Sequence, residues 1–332
     1  MKRVAINGFG RIGRAFLRVA YSAPDIEVVA INDVALKPDV AAYLLQYDSV
    51  YGRFPIEVGH SEKGLIIGDQ QISLLAEKDP AALPWKDMEI DVVIESTGIF
   101  RTAEKAGLHL QAGAKKVIIS APAKGSSVPT FVYGVNHETY KPEQDNVISA
   151  ASCTTNCLTP IAKILHDEFG IEKALMTTVH AYTADQRLVD MAHPEEWARG
   201  RGAAQNIVPT TTGAATAVAL VLPELKGRLD GMALRVPTPT GSVTDLSAVL
   251  EKSVTVEQVN DAFRHYAGNG MSQILKASEV PLVSSDCVGD RHSAIVNLPS
   301  TSVLAENFVK VLAYYDNEWG YTNRLVDLAN YI

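Results

Sequence analysis

Cys153 is the residue best placed to act as a nucleophile. A strand-like run ends at Ser152, a helical pattern begins at Cys153, and Gly170 closes that pattern. Ser152 is a suitable N-cap, so Cys153 falls in the first helical turn, where the positive end of the helix dipole favours a thiolate. Thiol pKa values fall to roughly 3.5–7.5 in such positions. The pattern predicts a nucleophilic cysteine, and the alternative is a small side chain packed in the core.

A nucleophilic cysteine needs a base, and histidine is the usual one. His180 ends a strongly β-patterned run, and a strand there could carry its imidazole to the nucleophile. Composition alone does not choose among the eight histidines, which are His60, His109, His137, His166, His180, His193, His265 and His292. The other two cysteines, Cys157 and Cys287, are expected to pack in the core.

Three glycines near the N-terminus could hold a phosphate-bearing ligand. Gly8, Gly10 and Gly13 form GxGxxG directly after a strand-like run and before a helical pattern. Such glycines let the backbone approach a pyrophosphate that faces a helix N-terminus. A second strand-like run ends at Asp33, 20 residues after Gly13, and at that distance an acid can bond the adenosine ribose. The alternative is an ordinary strand-to-helix turn followed by a solvated acid.

The elements that position these groups fall into two stretches with different hydrophobic patterns, and together they predict an α/β protein. Residues 1–150 alternate short buried strands with helical patterns, which predicts a doubly wound parallel sheet. Residues 151–318 carry longer β-rich runs, which predict an α+β domain with a mixed, largely antiparallel sheet. The spacing of apolar residues in 319–332 predicts a helix that packs back on the first domain. The expected strands are 4–7, 28–32, 91–96, 115–120 and 130–135, and the β-rich runs are 174–183, 231–238, 242–251 and 309–316.

Composition excludes several kinds of protein. The 332 residues suffice for about two domains. The formal net charge of −8 argues against nucleic acid as a partner. Three cysteines favour a reducing compartment over a disulfide framework, which predicts a cytoplasmic protein, and no motif offers a metal site. Residues 202–223 carry no charge, but Pro209 and Pro223 are among the residues that interrupt their apolar character, so no membrane partner is expected.

Six motifs follow one another along the whole chain, and together they resemble one enzyme family. The motifs are AINGFGRIGR, ASCTTNC, HAYT, PTTTGAA, LRVPTPT and YDNEWGYTNR. They resemble the phosphorylating glyceraldehyde-3-phosphate dehydrogenase family, and the cysteine motif is highly specific. The resemblance implies a Rossmann domain that binds NAD, an α+β catalytic domain, and a homotetramer built partly through a long loop at about residues 183–206. It also implies a glycolytic oxidoreductase that acts on glyceraldehyde 3-phosphate and inorganic phosphate.

The resemblance also implies roles for individual residues. Cys153 would attack the aldehyde, and His180 would take the proton of the hemithioacetal as it is oxidised to a thioester. The family binds two phosphate groups. The positions that hold inorganic phosphate are matched here by Ser152, Thr154, Thr212 and Gly213. The positions that hold the phosphate group of the substrate are matched by Thr183 and Arg235, with Arg199 assisting. Positions that contact the cofactor are matched by Gly8, Gly10, Arg11, Ile12, Gly13, Asp33, Lys78, Thr97, Ser120 and Asn317.

The chain departs from the family pattern in places. Met191 and Ala192 stand where strongly NAD-selective members usually carry leucine and proline, which makes NADP a weaker alternative cofactor. Ala150 and Thr240 stand where asparagine is frequent, and Gly241 follows Thr240. Two other functions stay open at this point. One is an erythrose-4-phosphate dehydrogenase with the same cysteine and histidine, and the other is an NAD-binding redox sensor or scaffold.

Overall fold

The computed structural model describes residues 1–332, which divide into two units. Unit 1 contains Met1–Tyr133, His137–Ala151 and Thr322–Ile332, and unit 2 contains Gly134–Asn136 and Ser152–Tyr321. The last helix, α8 (Trp319–Tyr331), is divided between them, since its first three residues group with unit 2. The assignment of cofactor binding to residues 1–150 and of catalysis to residues 151–318 stays a prediction.

Unit 1 is built on a doubly wound sheet with helices in its connections. Its helices are α1 (Arg11–Ala20), α2 (Pro38–Gln46), α3 (Ala103–Ala106) and α4 (Leu108–Gln111). Its strands are β1 (Lys2–Asn7), β2 (Ile26–Asn32), β3 (Tyr47–Asp48), β4 (Gly52–Arg53), β5 (Val58–Ser61), β6 (Gly64–Ile67), β7 (Gln70–Leu75), β8 (Val92–Glu95), β9 (Lys116–Ile119) and β10 (Val147–Ser149).

The main sheet of unit 1 has the order β10-β9-β8-β1-β2-β7-β6-β5. The six strands from β10 to β7 are parallel, and β6 and β5 add an antiparallel edge. Strand β1 lies at the centre, and Val4, Ala5 and Ile6 are fully buried because helices cover both faces of such a sheet. The predicted doubly wound parallel sheet is confirmed.

One predicted strand is wrong. Residues 130–135 do not form a strand, and Thr130 makes only an isolated bridge to Ser149 of β10. The chain turns away soon afterwards at Gly134, which has a φ of +81° that favours glycine. The apolar run therefore ends against the edge of the sheet instead of extending it.

Unit 2 combines a second sheet with three helices. The helices are α5 (Cys153–Phe169), α6 (Ala214–Val221) and α7 (Val256–Gly268). The strands are β11 (Ile171–Ala181), β12 (Val208–Thr210), β13 (Leu229–Val236), β14 (Ser242–Leu250), β15 (Leu275–Ser278), β16 (Ala294–Asn297), β17 (Ser302–Leu304) and β18 (Phe308–Tyr315). None of the helices in the chain combines the length and apolar character that a membrane span requires.

The sheet of unit 2 is mixed, with the order β12-β13-β11-β14-β18-β16-β15 and with β17 paired to β18. Most neighbours are antiparallel, whereas β11 with β13 and β15 with β16 are parallel. Strand β14 alternates buried and half-buried residues along its whole length, as expected where one face covers a core. That core is completed by α5, which packs on β14, β16 and β18. The predicted mixed, largely antiparallel sheet is confirmed.

Candidate active site

Cys153 is the first residue of α5, where its side chain remains partly exposed. Ser152 is the N-cap, and its Oγ accepts a hydrogen bond of 3.0 Å from the backbone N–H of Thr155. The residue before the cap, Ala151, has a φ of +57°, which is uncommon for a residue other than glycine. Backbone strain of this kind is concentrated at functional sites. The cap and the predicted position of Cys153 in the first turn are confirmed.

His180 lies next to Cys153 at the end of β11. Sγ of Cys153 lies 3.4 Å from Nε2 of His180, and the imidazole is buried. Nδ1 of His180 lies 2.7 Å from the carbonyl oxygen of Ala181 and 2.8 Å from Nη1 of Arg235, so it has a partner in either neutral tautomer. The tautomer protonated at Nδ1 leaves Nε2 as the acceptor that faces the thiol. The structure therefore brings the predicted nucleophile and the predicted base into contact.

Arg235 completes this cluster from the neighbouring strand. It pairs with His180 in the parallel register of β11 and β13. Its Nη1 donates to the carbonyl of Ala181 at 3.0 Å and to Oγ1 of Thr183 at 3.4 Å, and it lies 2.8 Å from Nδ1 of His180. Its Nε is buried and has no hydrogen-bond partner. A guanidinium with an unpaired donor is suited to hold an anion.

Burial controls the charge state of the reacting pair. Burial raises the pKa of the Cys153 thiol, although the charge of Arg235 acts in the opposite direction. Burial and the Arg235 charge together lower the pKa of His180 to about 3. The expected fall of the thiol pKa at the helix N-terminus is wrong, because desolvation of the thiolate outweighs the favourable charges. His180 is consequently a neutral imidazole near pH 7, and in the tautomer protonated at Nδ1 it can accept the thiol proton at Nε2.

Tyr315 is a member of the site that sequence reasoning missed. Its hydroxyl contacts Oγ1 of Thr154 at 2.9 Å and Oγ1 of Thr178 at 2.8 Å, and its ring lies edge-on to that of His180. The residue is almost fully buried on β18. In sequence, a tyrosine at the end of a β-patterned run looks like any core residue. Only the register of the sheet shows that Tyr315 contacts the residues around Cys153 and His180.

The predicted phosphate-binding residues fall into two groups. Thr183 belongs to the Arg235 cluster, and its hydroxyl also donates to Asp185. Arg199 is linked to Thr183 through Asp185, with which it forms an ion pair of 2.5 Å. In contrast, Thr212 and Gly213 stand at the start of α6, where Oγ1 of Thr212 accepts from the N–H of Ala214, and no hydrogen bond joins either residue to Cys153.

The hydroxyls near the nucleophile are already engaged. Ser152 Oγ caps α5, and Oγ1 of Thr154 is bonded to Tyr315, so both hydroxyls already have a partner within the protein. The backbone N–H groups of the first helical turn remain the groups best oriented towards an anion. No group of three or more His, Cys, Asp or Glu side chains is placed to hold a metal ion.

The glycine motif of unit 1 forms a tight turn before α1, and we call Gly8, Gly10 and Gly13 the glycine cradle. A Cβ on Gly8, whose φ is +95°, would lie 2.7 Å from the backbone nitrogen of Thr97. A Cβ on Gly13 would lie 2.2 Å from the carbonyl oxygen of Gly8. Both positions therefore require glycine, and Gly10 forms the N-cap of α1. The cradle opens into a cavity of about 480 Å³, which is a suitable size for part of a dinucleotide.

The structure brings five of the predicted cofactor residues to this cavity: Gly8, Gly10, Asp33, Lys78 and Thr97. Asp33 is half-buried, and its carboxylate accepts hydrogen bonds from the N–H groups of Phe9 at 2.8 Å and Ala35 at 2.9 Å. The other five do not line it: Arg11, Ile12, Gly13, Ser120 and Asn317. Arg11 pairs with Asp48 at 2.6 Å, and Asn317 of unit 2 accepts a hydrogen bond from Ser242.

The charge of Arg235 gives a testable pH dependence. We expect Arg235→Leu to shift the alkylation of Cys153 by iodoacetamide to higher pH, because the guanidinium lowers the thiol pKa and its loss makes the thiolate harder to form. Arg235→Lys keeps the positive charge and is the matched control. Burial raises the pKa of Cys287 to about 12 and that of Cys157 further, so the alkylation rate reports on Cys153. A leucine variant with the wild-type pH profile would contradict this electrostatic role.

Comparisons with known proteins agree with this geometry. The family model described as glyceraldehyde 3-phosphate dehydrogenase, NAD binding domain, matches residues 2–103, and the corresponding C-terminal domain model matches residues 152–317. The chain is 54% identical over 330 residues to glyceraldehyde-3-phosphate dehydrogenase of Geobacillus stearothermophilus, with 99% of this chain and 98% of the relative covered. It is 55% identical to glyceraldehyde-3-phosphate dehydrogenase 1 of Streptomyces avermitilis, with 98% and 97% covered. It is 50% identical to glyceraldehyde-3-phosphate dehydrogenase 1 of Saccharomyces cerevisiae, with 100% and 99% covered. With matches of this extent in both units, the chain belongs to the glyceraldehyde-3-phosphate dehydrogenase family.

Proposed function

We propose that this protein is an NAD-dependent oxidoreductase of glycolysis that converts glyceraldehyde 3-phosphate and inorganic phosphate to 1,3-bisphosphoglycerate. The observation that carries the proposal is the contact of 3.4 Å between Sγ of Cys153 and Nε2 of His180, with Arg235 beside it. A thiol next to a neutral, oriented imidazole is the arrangement that covalent catalysis on an aldehyde requires. The family membership of the chain supports the same activity.

The first steps use the two reacting side chains. Nε2 of His180 takes the thiol proton as Sγ of Cys153 forms a bond to the aldehyde carbon, and the imidazolium then gives that proton to the resulting alkoxide oxygen, which completes the hemithioacetal. The lowered pKa of His180 favours this return of the proton and leaves the imidazole neutral for the next step. Nε2 then accepts the hydroxyl proton of the hemithioacetal as the carbon loses a hydride and becomes a thioester.

The last step releases the product. An oxygen of inorganic phosphate attacks the thioester carbon, the carbon–sulfur bond breaks, and Cys153 leaves as a thiolate stabilised by the Arg235 charge. We assign Ser152, Thr154, Thr212 and Gly213 to the incoming phosphate, with their backbone N–H groups as the donors that remain available near α5 and α6.

Arg235 and Thr183 are the proposed site for the phosphate group of the substrate, with Arg199 assisting. Arg235 donates to Thr183, and its free Nε offers a second donor. A phosphate oxygen would satisfy that donor and favour the bound state, since buried donors without a partner are unfavourable. Arg199, held by Asp185 next to Thr183, adds positive charge at the same place.

NAD fits the cavity of unit 1, because Gly8 and Gly13 let the turn before α1 pack tightly against Thr97 and the Gly8 carbonyl and because Asp33 lines the cavity as a hydrogen-bond acceptor. NAD supplies the acceptor for the hydride. We assign to its binding the cavity residues Gly8, Gly10, Asp33, Lys78 and Thr97, together with Arg11, Ile12, Gly13, Ser120 and Asn317, which lie outside the cavity.

The proposed activity is tested by following NADH formation from glyceraldehyde 3-phosphate with and without inorganic phosphate. We expect sustained turnover only when phosphate is present, because phosphate is the group that releases the thioester. Erythrose 4-phosphate in the same assay is the matched alternative substrate. A higher kcat/KM for erythrose 4-phosphate would assign the enzyme to that substrate, and stoichiometric NAD binding without phosphate-dependent turnover would favour a redox sensor.

Cofactor choice gives a second prediction. We expect the wild type to prefer NAD and to use NADP weakly, because the Asp33 carboxylate repels the 2′-phosphate of NADP. Asp33→Gly is expected to raise the ratio of kcat/KM for NADP to that for NAD by about ten- to a hundredfold, the size expected for removing a charge in a partly buried site. Kinetics with both cofactors on both proteins measure the ratio.

Asp33→Asn is the control for this prediction. The N–H groups of Phe9 and Ala35 bond different oxygens of the carboxylate, so the single amide oxygen can keep one of these two hydrogen bonds while the charge is removed. The asparagine variant should therefore share most of the gain in NADP use. A wild type that already favours NADP would overturn the proposed role of Asp33.

We keep a homotetramer in the cytoplasm as part of the proposal, with neither nucleic acid nor a membrane as partner. The loop at 183–206 exposes large apolar side chains, among them Leu188 at 80% and Trp197 at 92%, which supports burial in an interface between copies. Three free cysteines support a reducing compartment. Sedimentation velocity is expected to give the mass of four chains of 35.8 kDa, and a monomer would contradict this assembly.

A further inference from the structure

A buried polar cluster borders the nucleotide cavity of unit 1. We call it the Glu95 network, and it consists of Asn7, Asn32, Trp85, Glu95, Thr97 and His109. Glu95 ends β8 and exposes 1% of its surface, and His109 on α4 exposes none. A buried carboxylate is unfavourable unless donors surround it. The network is therefore an organised arrangement, and the proposed reaction does not use it directly.

Four donors satisfy the carboxylate of Glu95. Its Oε2 accepts from Nδ2 of Asn7 at 2.6 Å and from Nε2 of His109 at 3.2 Å. Its Oε1 accepts from the backbone N–H of Thr97 at 2.9 Å and also from the Thr97 hydroxyl. The orientation of the carboxylate consequently decides where Asn7 and Thr97 are held.

Trp85 sets the tautomer of His109. Nε1 of Trp85 donates to Nδ1 of His109 at 3.0 Å, and an indole N–H can only donate. Nδ1 must therefore be the unprotonated acceptor, which places the single imidazole proton on Nε2. His109 is thus a neutral donor that points at Glu95, and it cannot rotate to another role without losing the Trp85 hydrogen bond.

The network reaches the cavity wall at several points. Asn7, Asn32 and Thr97 all line the cavity, and Nδ2 of Asn32 donates to Oδ1 of Asn7 at 2.7 Å. Asn32 also exchanges two hydrogen bonds of 2.9 Å with the backbone of Glu77, which lines the cavity as well. Thr97 rests against Gly8, so a shift of Thr97 would move the glycine cradle.

A second contact leads from His109 to the same cavity. The ring of Phe100, which lines the cavity, lies edge-on to the imidazole with centroids 6.4 Å apart. His109 itself does not line the cavity. Its influence on a bound molecule must pass through Glu95, Thr97 and Phe100.

We propose that His109 is a positioning residue for the cofactor. With its tautomer set by Trp85, it orients the carboxylate of Glu95, and Glu95 in turn holds Thr97 and Asn7 in the geometry that receives the dinucleotide. The inference rests on the proposed function, because it takes NAD as the ligand of the cavity. It adds a residue of α4, outside the glycine motif, to the determinants of cofactor affinity.

The test compares His109→Leu with His109→Gln. Leucine removes the donor to Glu95, and we expect the Kd and the KM for NAD to rise by about tenfold or more, as for the loss of one hydrogen bond to a charged group. The kcat at saturating NAD and the KM for glyceraldehyde 3-phosphate should stay within about twofold, because the reacting groups are untouched. Glutamine keeps an N–H donor and is expected to recover a large part of the affinity.

Val117→Ala is the matched control for general destabilisation. Val117 is fully buried in the same hydrophobic cluster as Trp85 and is not part of the Glu95 network. It should lower the melting temperature without changing the Kd for NAD. If it weakens NAD binding as much as His109→Leu, or if His109→Leu binds NAD like the wild type, the positioning role is overturned.

Trp85→Phe tests the positioning role of His109 if His109→Leu does not fold. This variant removes the hydrogen bond that sets the tautomer together with part of a buried ring, and Val117→Ala serves as the control for that loss of packing. A raised Kd for NAD is expected, and an unchanged Kd overturns the proposal. Calorimetric binding of NAD needs no turnover. If the wild type binds NAD but does not oxidise glyceraldehyde 3-phosphate, the proposed function is wrong. The Kd values of the variants for NAD still decide the role of His109 in that case.

Discussion

Cys153→Ala is expected to lower phosphate-dependent oxidation of glyceraldehyde 3-phosphate to below about a thousandth of the wild-type rate, because the covalent route is lost with the sulfur atom. The fold should survive, since Cys153 is partly exposed, alanine is the best helix former, and the Ser152 cap is unchanged. Binding of NAD, measured by calorimetry, should stay close to wild type because the cavity of unit 1 contains no atom of Cys153.

Cys157→Ala is the control for this variant. Cys157 lies one helical turn further along α5, is fully buried, and contacts the carbonyl of Ala313 at 4.0 Å through its sulfur. Its role is packing, so turnover should change little. Residual turnover of Cys153→Ala above about a tenth of the wild-type rate would mean that the thiol is not the nucleophile.

The local parts of the site could be predicted from sequence. The Ser152 cap, the position of Cys153 in the first helical turn and the glycine cradle depend on neighbouring residues and on the conformations that glycine alone adopts easily. The sheets were predictable for a similar reason, since the pattern of buried residues, continuous in β1 and β8 and alternating in β14, is a property of each strand. The exception is 130–135, where an apolar run packs against an edge without joining it.

The nonlocal parts could not be predicted from the residues alone. The approach of Arg235 to His180 depends on the parallel register of β11 with β13, and the contacts of Tyr315 depend on the position of β18 in the sheet. The charge states depend on burial. A helix N-terminus suggests a thiolate, whereas the desolvation that raises the pKa of Cys153 becomes visible only when the walls of the site are in place.

His180→Asn is expected to lower kcat by about 10²–10⁴, the usual contribution of a positioned acid–base group. The pKa of His180 is lowered to about 3, so the wild-type imidazole is an available proton acceptor at every pH above that value. Asparagine preserves a polar side chain of similar width but cannot accept the proton. The KM for glyceraldehyde 3-phosphate should change little, because Arg235 and Thr183 remain.

Alkylation of Cys153 separates the two steps in which His180 acts. If Nε2 accepts the thiol proton during attack, His180→Asn should also alkylate more slowly near pH 7, as the contact of 3.4 Å requires. His265→Asn, on the exposed side of α7, is the control and should leave both rates unchanged. If His180→Asn loses turnover but keeps the wild-type alkylation rate, His180 acts only in the oxidation step. If neither turnover nor the alkylation rate changes, another histidine is the base. Because a neutral imidazole facing the thiol serves both proton transfers, we expect both rates to fall in this one variant.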